Sequence, residues 1–440
     1  MNTIRRTTAY RILAALLMGF ALTAALTGCA AGSFPNPLRR FDETSGDHTD
    51  VGETEGSTGM TGAVQQDGTD GTDPSQSEQG SATAAGETGA AAAPDSDTTS
   101  TPDSEAAGAM TQYAYSTLDA SEQTIYQEVL GGLTSRKEVS VSTLDKEKLN
   151  KIYNDVMSDH PEIFYVDGYT CTTHTIGGEL SAITFEGSYI CNEEEERDFS
   201  AQIQVYADRA LAGLPDSTDD YLTVRYLYEY IVQNTDYDLT ADHNQNILSV
   251  CIGGRSVCNG YAKALQYLLQ KAGIPAFLVT GKARGAGHAW DLVFVNGSWY
   301  YVDPTWGDAS FSEDSERAGS NWINYDYLCV TTKDIFTTHE ITSRTTLPAC
   351  TALSDNYYVR EGSFFYSYDP DQMERVVEKA GEENSGILRL RCASQSVYDE
   401  MLDALIEQQG IYDYLPDVRA ITYTKSDELY TLSIIPSQTQ

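Results

Sequence analysis

An α+β fold is predicted for this chain of 440 residues from three observations. A helical segment over 111–160 gives way to two strands and then to two further helices. A helix with one apolar face starts at Cys258, and an Asn-Gly pair at 296–297 joins two strand-like stretches carrying His288 and Asp303.

The elements follow in chain order. Asp119–Leu130 and Asp145–Met157 have helical spacing of apolar residues, with Leu149, Ile152, Tyr153 and Val156 on one face of the second, which His160-Pro161 should stop. Ile163–Thr173 and Leu180–Ile190 read as strands around Gly177-Gly178, and Asn192–Leu214 and Asp219–Asn234 as helices. After Leu347 a smaller unit is expected: Tyr357–Tyr368 as strand, Asp371–Ala380 as helix, Ile387–Cys392 as strand, Val397–Gln409 as helix, and closing strands near Ile421 and Tyr430. None of its residues has a catalytic look, and a packing or wall-binding role is the preferred expectation.

The first residues form an address. Arg5 and Arg6 precede an apolar run from Ile12 to Leu26, and Leu26-Thr27-Gly28-Cys29 resembles a bacterial lipobox. That resemblance implies cleavage before Cys29, lipidation of its thiol, and a chain anchored to the extracytoplasmic face of a bacterial membrane. The apolar run is shorter than the roughly 20 residues a spanning helix needs. From Ser33 to Met110 large apolar residues are almost absent, so a flexible acidic tether is expected, with a mean reach on the order of 50 Å. The formal net charge of −37 argues against nucleic acid as a partner.

Eight cysteines are present. With Cys29 lipidated and Cys258 kept as a thiol, six remain that an exported chain could pair in 15 ways, Cys171 with Cys191 among them. No CxxC or histidine-rich cluster points to a metal, and no cofactor is implied.

In GGRSVCNGYAKALQYLLQKAGIP, Ala262, Leu265, Leu268, Leu269 and Ala272 share one helical face, and Gly273 with Pro275 ends the helix. Cys258 therefore stands at the amino end of a buried helix. Unsatisfied N–H groups and the macrodipole favour a thiolate there and could hold a developing oxyanion. A buried structural cysteine is the plain alternative for this residue taken alone.

His288 and Asp303 change that weighting. With Asn296-Gly297 as a two-residue type I′ turn, Val295 faces Ser298 and Asp303 faces Trp290, so His288 and Asp303 become diagonal neighbours on one face. Asp291 is nearer to His288 in sequence, but its parity sends it to the other face. A cysteine, a base and an orienting carboxylate are the parts of an activated nucleophile.

At these residues the chain resembles the transglutaminase-like superfamily, whose fold is related to papain-type cysteine peptidases. SVCNGYAKALQYLLQKAGIPAFLVTG is similar to the family's nucleophile helix and following strand, and HAWDLVFVNGSWYYVDPTW to its two catalytic strands. The resemblance implies a Cys258, His288, Asp303 triad on a helix start and an antiparallel sheet. It runs strongly over 226–341 and weakly over 111–173. Asp291 stands where bacterial relatives often have Asn, and no calcium loop is seen. The second oxyanion donor is not placed, with Tyr237 and Gln245 as nearby candidates. Trp290, Trp299, Tyr300 and Trp306 divide between core and cleft wall.

The expected organisation is a signal peptide (1–28), a lipidated cysteine with acidic linker (29–110), an N-terminal α+β region (111–205), a transglutaminase-like domain (206–346) and a small α+β domain (347–440). The expected activity is acyl transfer on amide bonds of protein or peptide substrates, cell-wall peptides included, toward an amine or water. The alternatives are a peptidoglycan amidase or endopeptidase of the Cys-His type, and a non-catalytic wall- or protein-binding module.

Overall fold

The computed structural model describes residues 41–42, 112–308, 322–382 and 386–437. The leader, Cys29 and nearly all of the acidic stretch lie outside the described residues. No described helix is long and apolar enough to cross a membrane.

Phe41–Asp42 form a two-residue strand, β1, parallel to the later strand β3 (Val166–Ile176). Helices α1 (Tyr113–Thr117), α2 (Ala120–Ser135) and α3 (Lys146–Asp159) flank a sheet in the order β1, β3, β4 (Glu179–Tyr189), β2 (Val139–Val141). Asp119 starts α2 by accepting the Ser121 and Glu122 N–H groups while Glu122 reaches back, a reciprocal cap. The expected face of α3 is buried at Leu149, Ile152, Tyr153 and Val156, and the helix stops at His160, before the proline. The hairpin turns at Gly177 and Gly178, both at positive φ (65° and 83°).

Two helices, α4 (Glu193–Leu211) and α5 (Asp220–Gln233), lead to β5 (Asp236–Tyr237), α6 (Ile247–Cys251), β6 (Arg255–Ser256) and α7 (Cys258–Lys271). The second sheet is wholly antiparallel, ordered β10 (His339–Ile341), β7 (Ala276–Ala283), β8 (Ala286–Val295), β9 (Ser298–Val302). Helix α7 packs on β7 and β8, with Ala262, Leu265, Leu268 and Leu269 fully buried. Each such leucine stabilises the fold by about 1.5–3 kcal/mol. Buried residues from Leu118 to Tyr358 form one contiguous apolar cluster.

Beyond α8 (Thr332–Ile335), the C-terminal residues build their own cluster around Phe365, Met373, Leu390 and Ile434. There α9 (Tyr357–Arg360), α10 (Pro370–Glu382), α11 (Gln395–Leu402) and α12 (Ile411–Tyr414) accompany a sheet ordered β11 (Phe364–Phe365), β12 (Leu388–Cys392), β14 (Thr431–Pro436), β13 (Ile421–Ser426). The single strand expected over 357–368 is instead a helical turn and a two-residue strand. Asn356 accepts the Tyr358 N–H and nucleates the turn, and Gly362 at φ 74° breaks away from it. The helix expected over 397–409 starts at Gln395 behind the Ser394 cap and passes into a π-helical turn at Asp403–Glu407.

Gly260, in the first turn of α7, lets that turn lie against its neighbours: a Cβ there would fall 1.9 Å from Ser256 Oγ and 2.8 Å from Ser249 Oγ. Gly131 in α2 has nothing within 4 Å of such a carbon. Urea unfolding should therefore show Gly260→Ala destabilised by about 1–3 kcal/mol and Gly131→Ala unchanged or stabilised by about 0.5–1 kcal/mol. Equal effects at both positions would contradict this packing.

Candidate functional site

Cys258 is the first residue of α7. Val257 before it is extended and offers no side-chain cap; the Gly260 N–H donates to Val257 O at 3.0 Å, which leaves the Cys258 and Asn259 N–H groups to whatever lies beside the thiol. The Cys258 side chain is 8 % exposed and rests on Ala262, Leu278 and Ala289. Two pieces of chain hold the approach to it. Tyr237 pairs in register with Ser256 across the short parallel β5–β6 ladder. Gln245 Oε1 accepts from Asn259 Nδ2 at 3.0 Å, while its own Nε2 donates to Asn244 Oδ1 at 3.0 Å. Both residues named as candidate oxyanion donors thus flank the turn that carries Cys258.

The hairpin register is the one the turn predicts. Asn296 and Gly297 have φ of 47° and 89°, and Val295 pairs with Ser298 and Asp291 with Val302. Asp303, one residue past β9, consequently meets His288, with Oδ2 to Nε2 at 2.7 Å. The Cys258 thiol also acts on this imidazole, so thiol, imidazole and carboxylate form a row. Since an ionised carboxylate only accepts, His288 presents Nε2–H to it and leaves Nδ1 for the sulfur.

Asp303 is fully buried and saturated with donors. Oδ1 accepts the backbone N–H groups of Thr305 (2.9 Å) and Trp306 (3.2 Å), and Oδ2 accepts from His288 and from a second histidine, His339, at 3.2 Å. Burial alone would raise this carboxyl. The charge and hydrogen bond of His288, with the hydrogen bond of His339, reverse that and hold it well below the usual carboxylate range. Burial likewise pushes the His288 imidazole down, but Asp303 and the hydrogen bond to Cys258 outweigh it and carry the imidazole up to about 10. An imidazole so placed can take a thiol proton and keep it beside the sulfur.

His339 escaped the sequence reading. It sits on the three-residue edge strand β10, pairing with Ala283 of β7, while His288 on β8 pairs with Gly281. Gly281 permits this approach, because a Cβ would lie 2.1 Å from Glu340 O and 2.7 Å from the Trp290 ring. His339 Nδ1 lies 2.8 Å from Thr338 Oγ1, which in turn lies 3.0 Å from Tyr327 OH. The only available signal was its place in TTHEI, too short a stretch to show a period. Among the described residues His288, Asp303 and His339 are the one group close enough to share a metal ion, and the hydrogen bonds among them already account for their meeting.

Trp290 is fully buried and stacks 6.0 Å from His288, and half-buried Trp306 lies 6.0 Å from it on another side. Tyr300 is core, and Trp299 packs 5.2 Å from Tyr113, away from the site. The pairing of Cys171 with Cys191 is not seen: neither is in a disulfide, nor are Cys251, Cys258, Cys329, Cys350 and Cys392.

Asp291 follows the predicted parity onto the face with Ala289, the side that α7 covers. It is fully buried, and neither carboxylate oxygen has a hydrogen-bond partner. Burial, with the charge of Asp303 added, raises it well above the usual carboxylate range. The folded state therefore binds this proton more tightly than the unfolded chain does, whose carboxyl releases it above about pH 4. This contribution is fully present below that pH and is lost as pH rises.

Residues 209–304 match the model of the transglutaminase-like superfamily, a span containing Cys258, His288 and Asp303. Kyphoscoliosis peptidase from Homo sapiens is 26 % identical over 133 residues, 24 % of this chain and 20 % of the relative. The Mus musculus protein of that name is 26 % identical over 111 residues, 21 % of this chain and 17 % of the relative. The chain thus spans about a fifth or less of the length of these relatives. Among solved structures, a crystal structure of a TGase aligns over 32 % of this chain and 44 % of its own, at 16 % identity and a TM-score of 0.24. The periplasmic domain of TgpA from Pseudomonas aeruginosa aligns over 29 % and 55 %, at 16 % identity and a TM-score of 0.20.

Thermal melts across pH test the Asp291 account. Asp291→Asn should be more stable than the parent by on the order of 1 kcal/mol at pH 8, with the gain shrinking toward pH 4. A gain that grows on acidification would show that Asp291 is ionised in the fold.

Proposed function

We propose that the transglutaminase-like domain at residues 209–304 is a thiol acyltransferase acting on amide bonds, with Cys258 as nucleophile, His288 as its base and acid, and Asp303 as the residue that orients His288. The observation that carries this reading is the row itself: Cys258 on an uncapped helix start beside His288, whose Nε2 is held at 2.7 Å by Asp303.

The chemistry follows from the row. His288 Nδ1 takes the thiol proton, and the thiolate adds to the carbonyl carbon of an amide. The negative charge that moves onto the carbonyl oxygen is met by N–H groups of the α7 turn. As the C–N bond breaks, His288 returns the proton to the departing nitrogen, leaving a thioester on Cys258 and free ammonia or amine. An amine or water then attacks the thioester while His288 takes its proton, and the thiolate leaves and is reprotonated. Amine attack makes a new amide and water attack a carboxylate, so one row serves crosslinking and hydrolysis alike. The relatives' name as peptidases supports the hydrolytic direction for this chain. The lipobox-like leader supports a site held on the outer face of a bacterial membrane, facing protein or wall peptides. Cys251 stands as a free thiol, which leaves Cys258 uncommitted to a disulfide.

Incubation with a glutamine-containing peptide, quenched in acid and examined by intact mass spectrometry, should show a peptide acyl group on Cys258 and release of ammonia. Cys258→Ser should carry no adduct, and His288→Ala should lose turnover by about 10²-fold or more. A wild-type chain that forms no adduct with glutaminyl, asparaginyl or backbone-amide peptides would overturn the proposal.

A further inference from the structure

Helix α7 carries a second unusual side chain. Lys263 is 6 % exposed, and its amine has no hydrogen bond or ion pair with any described residue. Burial pushes the amine down to about 8, with no neighbouring carboxylate to counter it. A buried ammonium without a counter-charge is costly, and its persistence calls for a partner.

Lys263 lines a cavity of about 150 Å³ where α7 meets α3, the β3–β4 hairpin and the loop before α6. Its walls differ in kind. Tyr153, Ile163, Phe164 and Ile190 make one side apolar. On the other side Asn246 caps α6, Asn244 Nδ2 donates to Leu239 O, Gln245 bridges Asn244 and Asn259, and His243 completes the wall. Asp167 of the same lining is exposed. Lys263 is thus the one lysine or arginine of the lining, and His243 is the other lining side chain able to carry positive charge.

We infer that this cavity binds a small organic carboxylate, its anionic head on Lys263 and its short apolar stem against Tyr153, Phe164 and Ile190. A carboxylate supplies the missing counter-charge through a charge-assisted hydrogen bond. The apolar wall selects an organic stem over an inorganic anion of the same charge. The site is separate from the thiol row, and Gln245 is its link to the turn that carries Cys258.

Calorimetric titration of the whole chain with sodium hexanoate at pH 7 tests this, with acetate and inorganic phosphate as comparisons. Saturable hexanoate binding is expected, with acetate and phosphate weaker by about tenfold or more. Lys263→Met, which keeps the stem and removes the charge, should melt no lower than the parent and bind hexanoate about tenfold or more weakly. Cys258→Ala should bind it as the parent does, whatever the fate of the acyl-transfer reading. On the unaltered protein, hexanoate should slow reductive methylation of Lys263 several-fold, mapped by peptide, and leave surface lysines unaffected. Binding absent, binding unchanged in Lys263→Met, phosphate matching hexanoate, or methylation of Lys263 indifferent to hexanoate would each overturn the assignment.

Discussion

A fully buried carboxylate sets the terms for the rest of the site. Taking an ionised Asp303 out of water costs several kcal/mol. The fold meets that cost with four donors, two from the backbone just after it and two from imidazoles on different strands. Each donor restrains the chain that bears it. The Thr305 and Trp306 N–H groups fix the turn leaving β9, His288 fixes the near end of β8, and His339 fixes the edge strand β10. One anion thereby ties three strands of one sheet at the end where Cys258 lies.

The same demand reaches the C-terminal residues. The Asp303 N–H donates to Tyr327 O at 3.0 Å, so residues 322–335 must be held in place as well. Arg391 of β12 bonds Asp334 at 2.5 Å, Arg389 lies 4.9 Å over the Trp322 ring, and half-buried Asp326 accepts from Tyr358 and Thr431. These contacts brace the segment that carries Tyr327 from its far side. A region with no catalytic look in its sequence thus contributes rigidity to the carboxylate's surroundings. Asp291 shows the converse: a second buried carboxyl, without donors, is pushed toward its protonated form.

Much of this was legible in the residues because it depends on local rules. The Asn-Gly turn dictates the register that brings Asp303 to His288 and sends Asp291 away, and the apolar face of α7 with Gly273 and Pro275 dictates where the nucleophile helix ends. What stayed hidden depends on non-local packing. His339 lies on a strand of three residues, too short for periodicity, and it reaches Asp303 only because Gly281 lets β10 close over β7. The helical turn at Tyr357 was read as strand because its aromatic residues favour strands, whereas the Asn356 cap decided otherwise. The unpartnered state of Lys263 could not be read at all, since helical spacing does not reveal which neighbours the fold withholds.

The central claim is that His288 draws the proton of Cys258 because Asp303 holds it ready. The most direct measurement is the rate of iodoacetamide labelling of Cys258 against pH, mapped by peptide, for the parent and His288→Ala. The account predicts rapid labelling of Cys258 alone among the cysteines and loss of that reactivity in His288→Ala. Slow labelling of Cys258, or labelling indifferent to His288, would contradict it.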